Sequence, residues 1–400
     1  MHHIDIEKAR KEMAKRDLDV LIAASAVNVH YCTGHYSGLQ HHMGDQVRLA
    51  VIPIDSQPFV TCPAWEASFF EKSGVFEAFE FPEEVYFKYP PEADIYLKAQ
   101  ENVNDLEGLR DLDVSHRIMK SPILLAAKII NGRKLRRAKI GIDREYITAV
   151  VFEEVARAFH DSDIRDGTQI FADLRAIKSD EEIRDMVEAV RCTEQALEAC
   201  APLIKEGENL LEIKRKLFEV MSQKAGAEPG GGIAVGPLPP GDETASDKDQ
   251  LRAGQVVKFD GGASYNHYGC DIGRSWAVGE ILKQERELFS NIIEASDAMV
   301  EKLQPGTKVS DVYRVGNEIM RRVDSNYGRR VFMGHSHGLE IHEKPYISPT
   351  TEDLLMPGMV MCVEVPYYVP EGNSFQLEDE YLITTDGHKR LSERLPRALL

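Results

Sequence analysis

The sequence predicts two unlike domains, an α/β domain over residues 1–165 and a larger α+β domain over 166–400. Three observations predict this. At 400 residues the chain is long enough for two cores. Its first part interleaves short apolar runs of strand character with helical stretches. Its second part sets long amphipathic helices beside apolar strands that end in carboxylates.

In the first domain, Ile6 to Arg16 reads as a charged helix and Val20–Ala24 as a short buried strand. Val47 to Ile54, Phe59–Val60 and Lys139–Asp143 continue in strand style. Trp65, Phe69 and Phe70 read as core packing, with an aromatic wall to a partner subunit's pocket as the alternative. Phe79 to Pro91, rich in Pro, Tyr, Phe and Glu without periodicity, reads as a surface loop within reach of a neighbouring subunit. Arg165-Asp166-Gly167-Thr168 marks the boundary.

Beyond it, Ser179 is placed to cap a helix, with Glu182 three residues on completing a capping box. Ile183, Val187, Val190 and Leu197 form its apolar stripe, and a second helix runs from about Leu210 to Lys224. Pro229-Gly230-Gly231-Gly232 lacks the Lys-Ser/Thr of a phosphate loop and reads as a plain loop. Leu203 to Gly207, then Leu210 and Ile213, is echoed by Leu303 to Gly306, then Val309 and Val312. Each segment separates two helices, so a helix pair occurs twice.

Five residues carry the chemistry. Asp260 ends the run Val256–Phe259, Asp271 follows Tyr268-Gly269-Cys270, and His335 lies in Gly334-His335-Ser336-His337-Gly338. Glu364 ends Met359–Val363, and Glu378 opens a run into Leu382-Ile383. A carboxylate at the end of a buried strand is costly as a lone ion, and four together repel unless cations lie between them. Oxygen donors with one imidazole suit a pair of divalent ions, manganese first, with iron, cobalt or zinc as alternatives. Asp260 and Asp271 flank a segment with turn chemistry, so two antiparallel strands joined there bring both to one spot.

These blocks resemble the pita-bread metallohydrolases: methionine aminopeptidase, aminopeptidase P, prolidase and their non-peptidase relative creatinase. The resemblance rests on Phe259-Asp260-Gly261-Gly262, Tyr268 to Arg274, Gly334 to Pro345, Pro357 to Glu364 and Leu377 to Thr384. Leu174 to Ser179 with Glu181-Glu182-Ile183 resembles the entry to that family's catalytic domain, and Asn28 to Gly34 an early strand of its N-terminal domain. The resemblance implies a pseudo-twofold catalytic domain with helices outside a curved antiparallel sheet. It implies that Asp260 chelates one metal, that Asp271 and Glu378 bridge both, and that His335 and Glu364 complete the second. Glu364 then takes a proton from the shared water, and His342 contacts the tetrahedral intermediate. A homodimer whose N-terminal domains close the partner's pocket is also implied.

Four positions depart from that pattern. Glu243 stands where the peptidases and creatinase have a histidine, and suits an amine-bearing substrate. His337 replaces a usual apolar residue and is a second candidate substrate contact. Gly273 replaces a usual threonine, and Gln376 the arginine common in prolidases.

Lys and Arg number 48 against 66 Asp and Glu, a formal charge of −18 that disfavours nucleic acid and anionic membranes as partners. No apolar stretch approaches bilayer length. The charged start Met1-His2-His3-Ile4-Asp5 does not resemble a secretory signal, and the six cysteines show no framework spacing, so a cytoplasmic protein is expected. Cys270 and Cys362 lie close to proposed ligands, and strand packing accounts for both. The leading function is a dinuclear hydrolase of Xaa-Pro peptidase type, acting on a small molecule or short peptide. The alternatives are a pita-bread enzyme acting on a small zwitterionic metabolite and a catalytically silent binding protein.

Overall fold

The computed structural model describes residues 4–38, 48–62, 122–145, 147–237, 239–240 and 250–400. Trp65, Phe69, Phe70, the loop Phe79 to Pro91 and Glu243 lie outside the described residues. The chain divides into two compact units, Met1–Leu174 and Arg175–Leu400.

In the first unit, Asp5 caps α1 (Ile6–Lys15) by accepting from Lys8 N at 3.0 Å. Strand β1 (Val20–Ala23) leads to α2 (Ala26–Thr33), β2 (Leu49–Pro53) and β3 (Phe59–Thr61). Then follow α3 (Pro122–Gly132), β4 (Lys139–Ile142), α4 (Ala149–Ala158) and β5 (Asp163–Asp166). The sheet order is β3-β2-β1-β4-β5, with β1–β4 and β4–β5 parallel and the other pairs antiparallel. Val20, Ile22, Val51, Ile140 and Ile142 bury against Ile123, Ile130, Val151 and Val155 of the helices.

One expectation is corrected here. Asn28 to Gly34 is not a strand but most of α2 and its left-handed glycine stop. The cause is long-range. Buried Asp143 accepts from Ala24 N (2.7 Å), Ser25 N (3.0 Å), Ser25 Oγ (2.5 Å) and Asn28 Nδ2 (2.8 Å), which fixes the helix start.

Helix α5 (Thr168–Ala176) precedes α6 (Asp180–Cys200), which carries the expected capping box: Glu182 N donates to Ser179 Oγ and Ser179 N to Glu182 Oε2. Its buried stripe is Met186, Ala189, Val190, Ala196 and Leu197, while Ile183 and Val187 are only half-buried. Helix α7 (Leu210–Met221) packs on α6. Strands β6 (Ala227–Glu228), β7 (Gly232–Val235), β8 (Val256–Asp260), β9 (Ser264–Tyr265), β10 (Tyr268–Gly269) and β11 (Arg274–Ala277) follow. A second helix pair, α8 (Lys283–Glu301) and α9 (Val309–Val323), precedes β12 (Gly334–Ser336), β13 (Glu343–Tyr346), β14 (Val360–Glu364), β15 (Glu378–Ile383) and β16 (His388–Arg390).

The internal echo extends to hydrogen bonds. Gly207 N donates to Leu251 O and Leu251 N to Glu208 O; Gly306 N donates to Leu355 O and Leu355 N to Thr307 O, all at 2.8 Å. Both glycines have positive φ, +88° and +83°. From Leu251 the chain enters β8 and ends it at Asp260; from Leu355 it enters β14 and ends it at Glu364. Among the described residues this unit has three sheets, ordered β10-β9-β6, β11-β8-β7 and β13-β12-β14-β15-β16, all antiparallel, with a bridge between Gly273 and Glu378 joining the last two. The segment joining Asp260 to Asp271 differs from the simple hairpin expected. Asp271 lies not on a return strand but in the stretch before β11, after a small β9–β10 hairpin turned by Asn266 and His267 at positive φ.

Candidate metal centre

Strand ends place the carboxylates. Asp260 terminates β8, Glu364 terminates β14 and Glu378 opens β15, where Glu364 and Glu378 are direct cross-strand partners. The bridge at Gly273 draws the stretch after Asp271 onto β15. One ligand oxygen each of Asp260, Asp271 and Glu378 lies within 4.8 Å of the others, and the same holds for the donor atoms of Asp271, His335 and His342. His335 Nε2 is 3.8 Å from Asp271 Oδ2 and 3.7 Å from Glu378 Oε1. Its Nδ1 stands 3.0 Å from Ser336 O and donates to it, which leaves Nε2 unprotonated with a lone pair for a metal.

Few internal cations offset this charge. Arg330 donates to Glu364 Oε2 at 2.9 Å. Gln376 Nε2 bridges Asp260 Oδ1 (3.0 Å) and Glu378 Oε2 (3.1 Å), and its Oε1 accepts from Tyr368 Oη at 3.1 Å. Burial lifts Asp260 to about 6, and burial with the neighbouring Asp260 charge lifts Glu364 to about 7 against the pull of Arg330. Asp271 and Glu378 rise well above the ordinary range through burial and the other carboxylates. Burial depresses His335 well below its ordinary value, so its imidazole is neutral. Glu378 Oε1 is buried with no hydrogen-bond partner among the described residues. Crowded carboxylates, a neutral imidazole and an orphaned ligand oxygen fit divalent cations, which would supply the missing positive charge.

His342 is exposed and lies over His335, ring centroids 4.1 Å apart, with Phe332 and Tyr346 edge-on to it at 5.7 and 6.2 Å. The next residue, Glu343, anchors it. Lys178 Nζ donates to Glu343 Oε2 and Ser336 Oγ, both at 3.1 Å, and Arg175 pairs with Glu343 and Glu340. Burial would raise Glu343, but Lys178 and Arg175 outweigh it and hold it at about 2.

His337 is not beside His342 at the surface. It is fully buried, Nδ1 stands 2.8 Å from Ile341 O, and Nε2 is 3.8 Å from Glu380 Oε1. Three residues at the centre carry no role in the sequence reading: Arg330, Glu380 and Arg274. Arg274 donates to Gly273 O and Glu378 O, both at 2.7 Å, and to Asp379 Oδ1 at 2.6 Å, tying β11 to β15. Glu380 accepts from Asp271 N at 2.6 Å; its spacing of two from Glu378 was the available signal, since alternate strand residues share a face. Arg330 carried no local signal.

The sequence pattern of metallopeptidase family M24 matches residues 184–385, and that of the creatinase/prolidase N-terminal domain matches residues 6–177. The chain belongs to metallopeptidase family M24. It is 34% identical over 231 residues to an Xaa-Pro dipeptidase of Pyrococcus furiosus, covering 56% of this chain and 65% of that one. It is 28% identical over 314 residues to an Xaa-Pro dipeptidase of Pyrococcus horikoshii, covering 76% and 83%. The solved prolidase of Pyrococcus horikoshii superposes with a TM-score of 0.74 at 25% identity, over 99% of both chains. The M24 fold is the pita-bread arrangement expected from the sequence, preceded by the creatinase-type domain, and M24 membership makes the chain a metal-dependent hydrolase with divalent metal as its cofactor. No helix among the described residues is long and apolar enough to cross a membrane.

Proposed function

We propose that this chain hydrolyses the peptide bond before proline in a small Xaa-Pro substrate, and that Asp260, Asp271, His335, Glu364 and Glu378 hold a pair of divalent cations, manganese first among them. The observation that carries this reading is the convergence of Asp260, Asp271, Glu378 and His335, with Glu364 paired across the strands to Glu378, around a Glu378 Oε1 that lacks a hydrogen-bond partner among the described residues. When bound, the cations polarise the scissile carbonyl and acidify a shared water. Glu364, held by Arg330 at 2.9 Å, is the carboxylate that would take a proton from the attacking water and pass it to the leaving nitrogen. His342, exposed over His335 with Phe332 and Tyr346 edge-on to it, would donate a hydrogen bond to the developing oxyanion. Gln376 and Arg330 hold the carboxylates in place.

The test is proline release from Xaa-Pro dipeptides, lost on chelation and restored by manganese. Inactivity on every such dipeptide would remove the peptidase reading. A second reading, a hydrolase or lyase acting on a small zwitterionic metabolite, is favoured by one sequence fact: no histidine lies between His160 and His267, and Glu243 takes the place of the peptidases' upstream histidine. Turnover of creatine-like, betaine-like or sulfonium compounds by the same preparation would select it. We further propose a homodimer, checked by sedimentation, and a cytoplasmic location, in keeping with six buried cysteines that show no framework spacing.

A further inference from the structure

The segment Arg175-Ala176-Ile177-Lys178-Ser179 resembles a family entry motif, yet none of its residues takes part in the proposed chemistry. The fold brings Lys178 to the site all the same. Its backbone is fixed, because Lys178 N donates to Gly358 O at 2.9 Å and the next residue, Ser179, caps α6. Its side chain, 1% exposed, reaches from that fixed point to the base of the loop 337–342.

That loop joins β12 to β13, where Ser336 and Glu343 are cross-strand partners. Lys178 Nζ donates to Ser336 Oγ at one end of the loop and to Glu343 Oε2 at the other, both at 3.1 Å. His335 immediately precedes Ser336, and His342 immediately precedes Glu343. One ammonium therefore grips the residue after each histidine, and the two rings lie 4.1 Å apart. Glu343 also folds back beneath the loop. Its Oε1 accepts from Leu339 N (3.1 Å) and Glu340 N (3.4 Å), with Arg175 Nε at 3.4 Å. Gly338 leaves the room for this pair: a Cβ there would stand 3.1 Å from both Glu343 oxygens and from Lys178 Cε. A buried ammonium or carboxylate is costly without its partner, so each holds the other in place.

We propose that Lys178 is a positioning residue for the reaction: through Ser336 and Glu343 it holds His342 in register over His335. The inference rests on the peptidase reading, in which His342 donates to the developing oxyanion. A clamp acting on that contact contributes to transition-state binding and not to substrate binding, so it governs kcat and leaves KM alone. Without the clamp the loop keeps two other ties, Ile341 O to His337 Nδ1 at 2.8 Å and Gly338 O to Gly269 N at 2.9 Å. The fold then survives while the His342 ring gains freedom, and a misplacement near 1 Å can cost about 100-fold in rate.

The test compares Lys178→Met and the near-isosteric Glu343→Gln with the wild type, in the full chain, with circular dichroism confirming that each is folded. Hydrogen exchange of the metal-free proteins, read by mass spectrometry over residues 337–343, should be about tenfold faster in both variants. With manganese restored, kcat for proline release should fall roughly 10–100-fold while KM stays within about twofold. Added to His342→Ala, either change should cost less than about twofold more, because both act on one contact. Wild-type exchange or wild-type kcat in both variants would overturn the inference, as would a loss that persists in full on top of His342→Ala. If the wild type releases no proline from any Xaa-Pro dipeptide, the peptidase reading fails and the exchange rates alone decide. Faster exchange in both variants then sustains the clamp, and unchanged exchange removes it.

Discussion

Replacing Gly273 by alanine would put a Cβ 2.5 Å from Gln376 Cγ, 2.8 Å from Glu378 Cβ and 3.0 Å from Glu378 N. Carbon atoms rest about 3.5–4.0 Å apart. Gln376 can swing away, though only by releasing its bonds to Asp260 and Glu378. Glu378 cannot, because the contact is with its Cβ and backbone, so strand and loop must part by roughly 0.7 Å or more. That movement would separate Asp271 from Glu378 and stretch the two bonds from Arg274 to Gly273 O and Glu378 O. Overpacking of this kind costs about 1–3 kcal/mol, and a misplacement near 1 Å in a catalytic group can cost about 100-fold in rate. We expect Gly273→Ala to melt several degrees lower, to bind manganese more weakly and to lose roughly 10–100-fold in kcat/KM. Thermal melts, metal content and proline release measure the three effects. Gly132→Ala, with open space around the added methyl, is the control. A Gly273→Ala protein that matches the wild type in all three would refute the claim that this close approach sets the ligand geometry.

Asp271→Asn should abolish turnover while the circular dichroism spectrum and melting temperature hold, since it removes a proposed bridging charge without changing shape; near-normal activity would refute the paired-metal assignment. The pH dependence follows from carboxylates raised in the metal-free state. Asp260 (about 6) and Glu364 (about 7) must lose protons to bind metal, so manganese affinity measured by calorimetry should fall on acidification from pH 7.5 to 5.5, by about tenfold per unit for each proton displaced. Their folded values exceed the ordinary 3.8 and 4.5, so these two groups favour the metal-free fold below those ordinary values and lose that stabilisation as pH rises through about 6 and 7. A manganese affinity independent of pH would contradict this. Arg330→Met removes the guanidinium on Glu364 and should move the acid limb of the kcat/KM profile upward by about one pH unit; an unmoved limb would dissociate Arg330 from the proton-carrying group.

Much of the site was legible because its signals are local. A carboxylate closing an apolar run is visible in one segment, as at Asp260 and Glu364, and so is the Ser179–Glu182 capping box. The repeated helix pair was also readable, since Gly207 and Gly306 end their turns in the same left-handed conformation. What failed was non-local. Asn28 to Gly34 has strand-like composition, yet a carboxylate more than a hundred residues away turns it into a helix. Asp271 was expected on a return strand, but the intervening β9–β10 hairpin leaves it in the stretch before β11.

The order of residue types along the chain determined that acids would gather at strand ends, that two similar helix pairs would flank them, and that cations were needed to hold them. Only tertiary structure decided which face His337 and Glu380 share, that Arg330 reaches Glu364, and that Gln376 clamps two carboxylates at once. The physical reason is register. Periodicity within a strand fixes a face, but the partner opposite each residue is set by pairing between strands far apart in sequence, and a slip of one position would send every donor to the other side.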